Sequence, residues 1–181
     1  MSTDSTVLKP GDIVAGRFEL ERKLGEGGMG VVFLATQIQL RRKVALKLIL
    51  PEHAARKGAR ARFEREARVA SALRHPNAVE VYDFGEHQGA LYMAMELLTG
   101  VTLRSLVDLD RPPLPLVRAL RYARQIADVL TAAASIGLVH RDLKPENVMI
   151  ETAADGSERV VVVDFGLAFM AEQGDMGRLT R

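Results

Sequence analysis

The chain contains no cysteine, so neither a disulfide framework nor a thiolate metal site can form. That absence suits a reducing compartment, and a cytoplasmic location is expected. It also lacks any apolar run approaching the roughly 20 residues that a membrane span requires. The opening MSTDSTVLKPGD has no signal-peptide core. Charge of one sign is scarce too: the formal net charge of +2 is too small to point to nucleic acid. Basic residues do crowd between Arg56 and Arg74, a run read as a solvated helix face. There is no internal repeat and no low-complexity tract. What is present is ordinary globular composition, 48% apolar and 27% charged over 181 residues, enough for one domain or two small lobes with a real core.

Patterning divides the chain. Residues 1–16 are polar and punctuated by Pro10, Gly11 and Gly16, and a flexible N-terminal tail is expected there. Phe18, Leu20 and Leu24 then alternate as in a half-buried strand, a glycine-rich turn follows, and VVFLA and KVALKLI read as two further strands. From Ala59 to Leu73 the period becomes helical, with Phe63, Ala67, Ala70 and Leu73 on one stripe. HPN stops that helix, and VEVYDFG and LYMAMEL add two strands, giving about five strands and one helix up to Leu98. Beyond it, a short helix TLRSLVDL and the breaker PPLP lead to a long helix over 116–136. Its Leu120, Ala123, Ala127, Leu130 and Ala134 are expected to face inward, with Gly137 as cap. VMIE and RVVVVD read as a hairpin around AADGS.

Three clusters carry chemistry. LGEGGMGVV, residues 24–32, contains G-x-G-x-x-G. A dinucleotide fold would place a helix after the third glycine, but VVFLA is a strand pattern. The remaining readings are a loop that lays bare N–H groups over a triphosphate, or a glycine-rich hairpin with no ligand. In KVALKLI the strand period puts Ala45 and Lys47 on one face and Val44, Leu46 and Leu48 on the other. On the Ala59–Leu73 helix Glu66 falls inside the apolar arc while Glu64 points outside it. A buried carboxylate needs a partner, and Lys47 is the natural counter-ion. Last, VHRDLKPENVMI sets Asp142, Lys144 and Asn147 in one loop, and VVVVDFG ends a strand on Asp164. Asn147 and Asp164 offer the hard oxygen ligands that Mg²⁺ prefers. Asp142 is suited to accept a hydroxyl proton, and Lys144 to neutralise charge on a transferred group.

In this order GEGGMGVV, VALK, the helix glutamate, HRDLKPEN and DFG resemble a eukaryotic-type serine/threonine protein kinase of the kind found in bacteria. The resemblance covers the chain from about Phe18 to its end. It implies an α+β bilobal fold: an N-lobe over 17–98 with a five-stranded antiparallel sheet and one major helix, then an incomplete, mainly helical C-lobe over 99–181. It also implies ATP and Mg²⁺ as cofactors and protein Ser/Thr hydroxyls as substrates. Gly25, Gly27 and Gly30 would cover the ATP phosphates, Leu24, Glu26, Gly28, Met29 and Val31 would be further nucleotide-binding residues, and Lys47 would hold the α- and β-phosphates with Glu66 fixing it. Val32, Ala45 and Met149 would sandwich the adenine, Met95 would back the pocket, and backbone groups of Glu96 and Leu98 would bond the adenine edge. Asp142 resembles the catalytic base, Lys144 the γ-phosphate contact, and Asn147 and Asp164 the metal ligands. His140 and Phe165 resemble packing residues beneath the site.

The family pattern is broken at one point, because no A-P-E follows DFG before Arg181. A fragment of a longer protein or a truncated product is therefore expected, lacking the peptide-docking platform. The competing expectation to an active enzyme is a nucleotide-binding or regulatory fragment without turnover, and a pairing of kinases through the N-lobe is among the expected partnerships. Arg141 resembles the arginine that pairs with an activation-segment phosphate, and Thr180 is the candidate acceptor after Asp164.

Overall fold

The computed structural model describes residues 8–27, 30–49, 54–55, 58–107 and 112–165. They form two compact units: one holds the chain up to Ala67 together with Val81–Leu97, the other holds Arg68–Glu80 and the chain from Leu98 onward. The fold is α+β and bilobal, a sheet-rich lobe with one major helix followed by a lobe built around a long helix.

The first unit is a six-stranded antiparallel sheet in the order β1-β2-β3-β4-β6-β5. Its strands are β1 (Ile13–Val14), β2 (Phe18–Gly27), β3 (Gly30–Gln37), β4 (Arg42–Ile49), β5 (Val81–His87) and β6 (Ala90–Met95). Five of these follow the sequence pattern. The sixth, β1, corrects the expected tail: Val14 pairs with Phe18 and is fully buried. The Gly11 N–H donates to the Leu20 carbonyl at 2.7 Å and the Leu20 N–H to the Asp12 carbonyl at 2.9 Å. A two-residue strand is too short to show a period, and its anchoring lies in backbone bonds that composition does not reveal. The turn back into β2 passes through Ala15 and Gly16, at φ 51° and 65°.

On β4 the alternation holds. Val44, Leu46 and Leu48 join Val14, Phe18, Leu20, Phe33, Ala35, Tyr92 and Ala94 in one apolar core. The helix α1 (Ala59–Ala72) buries Phe63, Ala67 and Ala70, with Leu73 just past its end, and Phe63 meets Phe84 edge-on at 6.4 Å. Its exposed residues include Arg60, Arg65 and Arg68, with Arg60 paired to Glu64 at 3.0 Å and to Glu86 at 2.6 Å.

The second unit contains β7 (Val101–Thr102), the short helix α2 (Leu103–Leu106), the long helix α3 (Leu116–Ser135), β8 (Val148–Thr152) and β9 (Glu158–Val162). The three strands form an antiparallel sheet in the order β7-β8-β9. Thr102 caps α2 by accepting the Ser105 N–H at 3.2 Å. Gly137, at φ 73°, ends α3 as expected, its N–H on the Ala134 carbonyl and that of Leu138 on the Ala133 carbonyl.

The buried face of α3 is not the one expected. Tyr122, Val129 and Ala133 are buried, and Tyr122 and Ile126 pack with Val148, Ile150 and Val160. Leu120, at 60% exposure, Ala123, Ala127 and Ala134 face away, and Leu130 is half-buried. This helix carries two apolar stripes roughly a quarter-turn apart at about 100° per residue. Periodicity identifies both and cannot say which of them the sheet covers. The bidentate pair of Arg118 with Glu158, at 2.6 and 3.1 Å, ties the first turn of α3 to the start of β9. Among the described residues no helix is long and apolar enough to cross a membrane.

Candidate active site

In the first unit the glycine turn joins β2 to β3, with Gly25 opposite Val32, Glu26 opposite Val31 and Gly27 opposite Gly30. Gly28 and Met29 lie outside the described residues. The three described glycines have different reasons to be glycine. A Cβ on Gly30 would sit 2.0 Å from the Leu48 carbonyl oxygen, so backbone packing against β4 requires its absence. A Cβ on Gly25 or Gly27 would meet nothing within 4 Å, and neither residue has a positive φ. Nothing within the described protein demands glycine at those two places. Open space above bare backbone suits a phosphate chain, which would need that close approach.

Strand register then gathers the neighbouring residues. Directly opposed residues of an antiparallel pair share a face. Val32 opposes Lys47, Lys47 opposes Met93 and Ala45 opposes Met95, so Val32, Ala45, Lys47 and Met95 lie on one face of the sheet. Val31 lies on the other, against the apolar core. Leu24 is exposed, and Glu96 and Leu98 follow β6, half-buried. Lys47 and Glu66 are the two charged side chains buried among the described residues.

In the second unit, the loop after α3 runs through a 3₁₀ turn at Pro145–Asn147. The Lys144 ammonium lies 2.7 Å from an Asp142 carboxylate oxygen. Asn147, buried, donates from Nδ2 to the Asp142 main-chain carbonyl at 2.8 Å and to its carboxylate at 3.3 Å. A carbonyl only accepts, so this assigns the amide nitrogen to Asp142 and leaves Oδ1 as the hard donor for a cation. The hydrogen bond from Lys144 holds the Asp142 carboxyl below its usual range despite some burial. The same bond raises Lys144, with the charge of Asp164 adding a smaller contribution.

Asp164 arrives at the end of β9. The Val163 N–H donates to the Asn147 carbonyl at 2.9 Å, so the two oxygen-bearing residues are tied through the intervening backbone. His140 bonds Val163 from the other side: Nε2 donates to the Val163 carbonyl at 2.9 Å, while Nδ1 accepts the Asp142 N–H at 3.4 Å. That pattern places a ring proton on Nε2. The His140 ring packs on Phe165 at 4.9 Å. Both Arg141 and Asp164 are left-handed, at φ 65° and 61°, a strained backbone of the kind concentrated at functional sites. Asp142, Lys144, Asn147 and Asp164 thus belong to one loop system, and Met149 follows on β8, opposite Thr102 and Val161. Among the described residues no three His, Cys, Asp or Glu side chains gather as a metal cage. Two oxygen ligands, with phosphate and water completing the shell, are the mode in which Mg²⁺ binds.

A family profile, the protein kinase domain, matches residues 18–179. The chain belongs to the protein kinase family. It is 40% identical over 183 residues to the serine/threonine-protein kinase pkn3 of Myxococcus xanthus, covering 100% of this chain and 33% of pkn3. It is 44% identical over 168 residues to pkn2 of the same organism, covering 92% of this chain and 20% of pkn2. The crystal structure of the Mycobacterium tuberculosis PknI kinase domain superposes with a TM-score of 0.79 at 36% identity, over 90% of this chain and 64% of that one. The chain spans a third or less of the length of these curated relatives.

Several residues of this kinase-family chain carried no sequence signal of importance. Gly100 stands where a Cβ would lie 2.0 Å from the Ile150 carbonyl oxygen. Asn77, within the HPN that ends α1, is buried and bonds the Val160 carbonyl at 2.7 Å and the Gln125 side chain at 2.8 Å. Gly166 and Thr180 lie outside the described residues.

The two open glycines separate ligand from packing. Gly25→Ala and Gly27→Ala are expected to raise stability by about 0.4–1 kcal/mol, since alanine narrows the unfolded ensemble without native strain, while weakening nucleotide binding. Thermal unfolding with and without Mg-ATP checks both signs, and a loss of stability in the ligand-free protein would contradict the expectation.

Proposed function

We propose that this chain carries the ATP- and Mg²⁺-dependent transfer of a γ-phosphoryl group to serine or threonine hydroxyls of proteins. The observation that carries the reading is the Asp142–Lys144–Asn147 arrangement, an ionised carboxylate between an ammonium at 2.7 Å and a buried amide at 3.3 Å. Asp142 takes the proton of the acceptor hydroxyl as its oxygen bonds to the γ-phosphorus. The bond from that phosphorus to the bridging oxygen breaks, and ADP leaves with the bonding pair. Lys144 meets the charge on the transferred group. Mg²⁺, when bound through Asn147 Oδ1 and the Asp164 carboxylate, supplies neutralisation of the phosphate oxygens. Lys47 holds the α- and β-phosphates with Glu66 as its counter-ion, since two buried opposite charges in one unit call for pairing. Gly25, Gly27 and Gly30 cover the phosphates, with Leu24, Glu26, Gly28 and Met29 completing the loop, while the Val31 side chain packs on the opposite face against the apolar core. Val32, Ala45 and Met149 flank the adenine, Met95 lies behind it, and Glu96 and Leu98 bond its edge.

A second reading takes the span that is matched, 64% of the PknI kinase domain, as a binding module. In that reading the chain binds nucleotide, or pairs with intact kinases, without turnover. Incubation of the purified chain with γ-phosphate-labelled ATP and a basic protein separates the two. Labelling supports the enzyme, a Mg-ATP thermal shift without labelling supports the binding module, and neither response refutes nucleotide binding altogether.

The pH dependence follows from Lys144. Asp142, with its pKa depressed by that ammonium, loses its charge only as pH falls through a value below the ordinary carboxylate pKa of about 3.9. Replacing Lys144 by Met removes the main cause, so the Asp142 titration is expected to move up in pH. Carbon NMR of the Asp142 carboxyl reads this directly, and an unmoved titration would show that Lys144 does not set it.

A further inference from the structure

The strand β9 delivers Asp164, and one of its edges has no strand beside it in the named sheet. Val160 opposes Ile150 of β8, but its own polar groups turn to the other side. There the Val160 carbonyl accepts from Asn77 Nδ2 at 2.7 Å, and the Val160 N–H donates to Gln125 Oε1 at 2.9 Å. Gln125 Oε1 also accepts from Asn77 Nδ2 at 2.8 Å. Two side chains thereby replace the donor and acceptor that a neighbouring strand would present. One rung further on, backbone takes over: the Val162 N–H donates to the Asn77 carbonyl at 2.8 Å, and the Val79 N–H to the Val162 carbonyl at 3.1 Å. Ala78 forms a parallel bridge with Val162. The next residue, Val163, is the one bonded to Asn147 and His140.

From this we infer that Asn77 and Gln125 are positioning residues for Asp164: they hold the free edge of β9 so that its end stays tied to Asn147. The inference rests on the metal reading of Asn147 and Asp164 for its functional consequence, and on the hydrogen bonds alone for its structural one. The lock has a direction. Asn77 Nδ2 must donate, because both atoms it faces accept, whereas Gln125 Oε1 must accept, because both atoms it faces donate, and Gln125 Nε2 adds only a long bond to the Glu158 carbonyl at 3.4 Å. An isosteric carboxylate at position 125 therefore keeps both short bonds of the lock and gives up only the 3.4 Å contact with Glu158, whereas at position 77 it loses both donated bonds.

The test compares Asn77→Asp with Gln125→Glu in the full chain, well below its unfolding midpoint. Amide exchange at Val163, which touches neither side chain, is expected to accelerate about tenfold or more in Asn77→Asp and to stay within about twofold of the parent in Gln125→Glu. The gain in ATP affinity on adding Mg²⁺ is expected to fall about tenfold in Asn77→Asp, the scale on which supporting residues tune metal sites, while metal-free affinity is unchanged. Asn77→Ala, which loses the donor without adding charge, replaces Asn77→Asp if that variant does not fold, with the same expectations. Parent-like exchange at Val163 in the Asn77 variant, or equal damage from both carboxylates, overturns the inference. A parent chain with no Mg²⁺ gain refutes the metal reading instead, and amide exchange still decides the lock.

Discussion

Asp142→Asn is expected to reduce phosphoryl transfer by about 10²–10⁴-fold, the usual contribution of a positioned general base, while nucleotide affinity and the unfolding midpoint barely change. The substitution is isosteric, and the main-chain carbonyl that orients Asn147 survives it. The Asp142–Lys144 pair is partly exposed, with side chains 37% and 47% accessible, so its loss costs little stability. A neutral amide cannot take the hydroxyl proton, so the effect falls on the transfer step. Single-turnover transfer to a protein acceptor, with nucleotide affinity measured alongside, reads both quantities. Equal transfer by the two chains would remove Asp142 from its role, and a parallel loss of nucleotide affinity would mean that it serves binding instead.

For Gly100→Ala the expected loss is of the fold. The added methyl would lie 2.0 Å from the Ile150 carbonyl oxygen and 2.6 Å from its carbon, and neither belongs to a flexible side chain. Gly100 directly precedes β7, whose Val101 opposes Ile150. Relief requires β7 to move off β8, and overpacking of this kind costs about 1–3 kcal/mol or more against a total of roughly 5–15 kcal/mol for a domain. Denaturant unfolding is expected to show an unfolding free energy lowered by at least that amount, or no folded protein. Gly156→Ala is a useful control, because that residue is also glycine but meets no atom within 4 Å. Its positive φ of 81° leaves only a local conformational cost. If Gly100→Ala were as stable as the parent, the close approach of β7 to β8 would not exist.

The largest parts of the site were legible because the chemistry restricts residue type in short spans. Asp142, Lys144 and Asn147 stand within six positions, and Asp164 follows a run of valines that reads as a strand. Strand alternation alone put Lys47 and Ala45 on one face, and helical period placed Glu66 on the buried side of α1. What the pattern misjudged was cover. The stripe of Leu120, Ala123 and Ala127 on α3 has the right period, yet Tyr122, Val129 and Ala133 are the residues that meet the sheet. The segment before Phe18 looked like a tail because the two residues of β1 show no repeat.

By itself the amino-acid sequence determined which residues bear charge, which can donate or accept, and which periods of strand and helix carry them, since these are properties of side chains and of local backbone geometry. Only the tertiary structure decided which of two apolar faces is covered, why Gly30 and Gly100 cannot carry a Cβ, and that Asn77 and Gln125 stand in for a strand beside β9. Each of those depends on atoms distant in the chain arriving at one place, and a carbonyl 2.0 Å from a missing methyl leaves no trace in the letters around it.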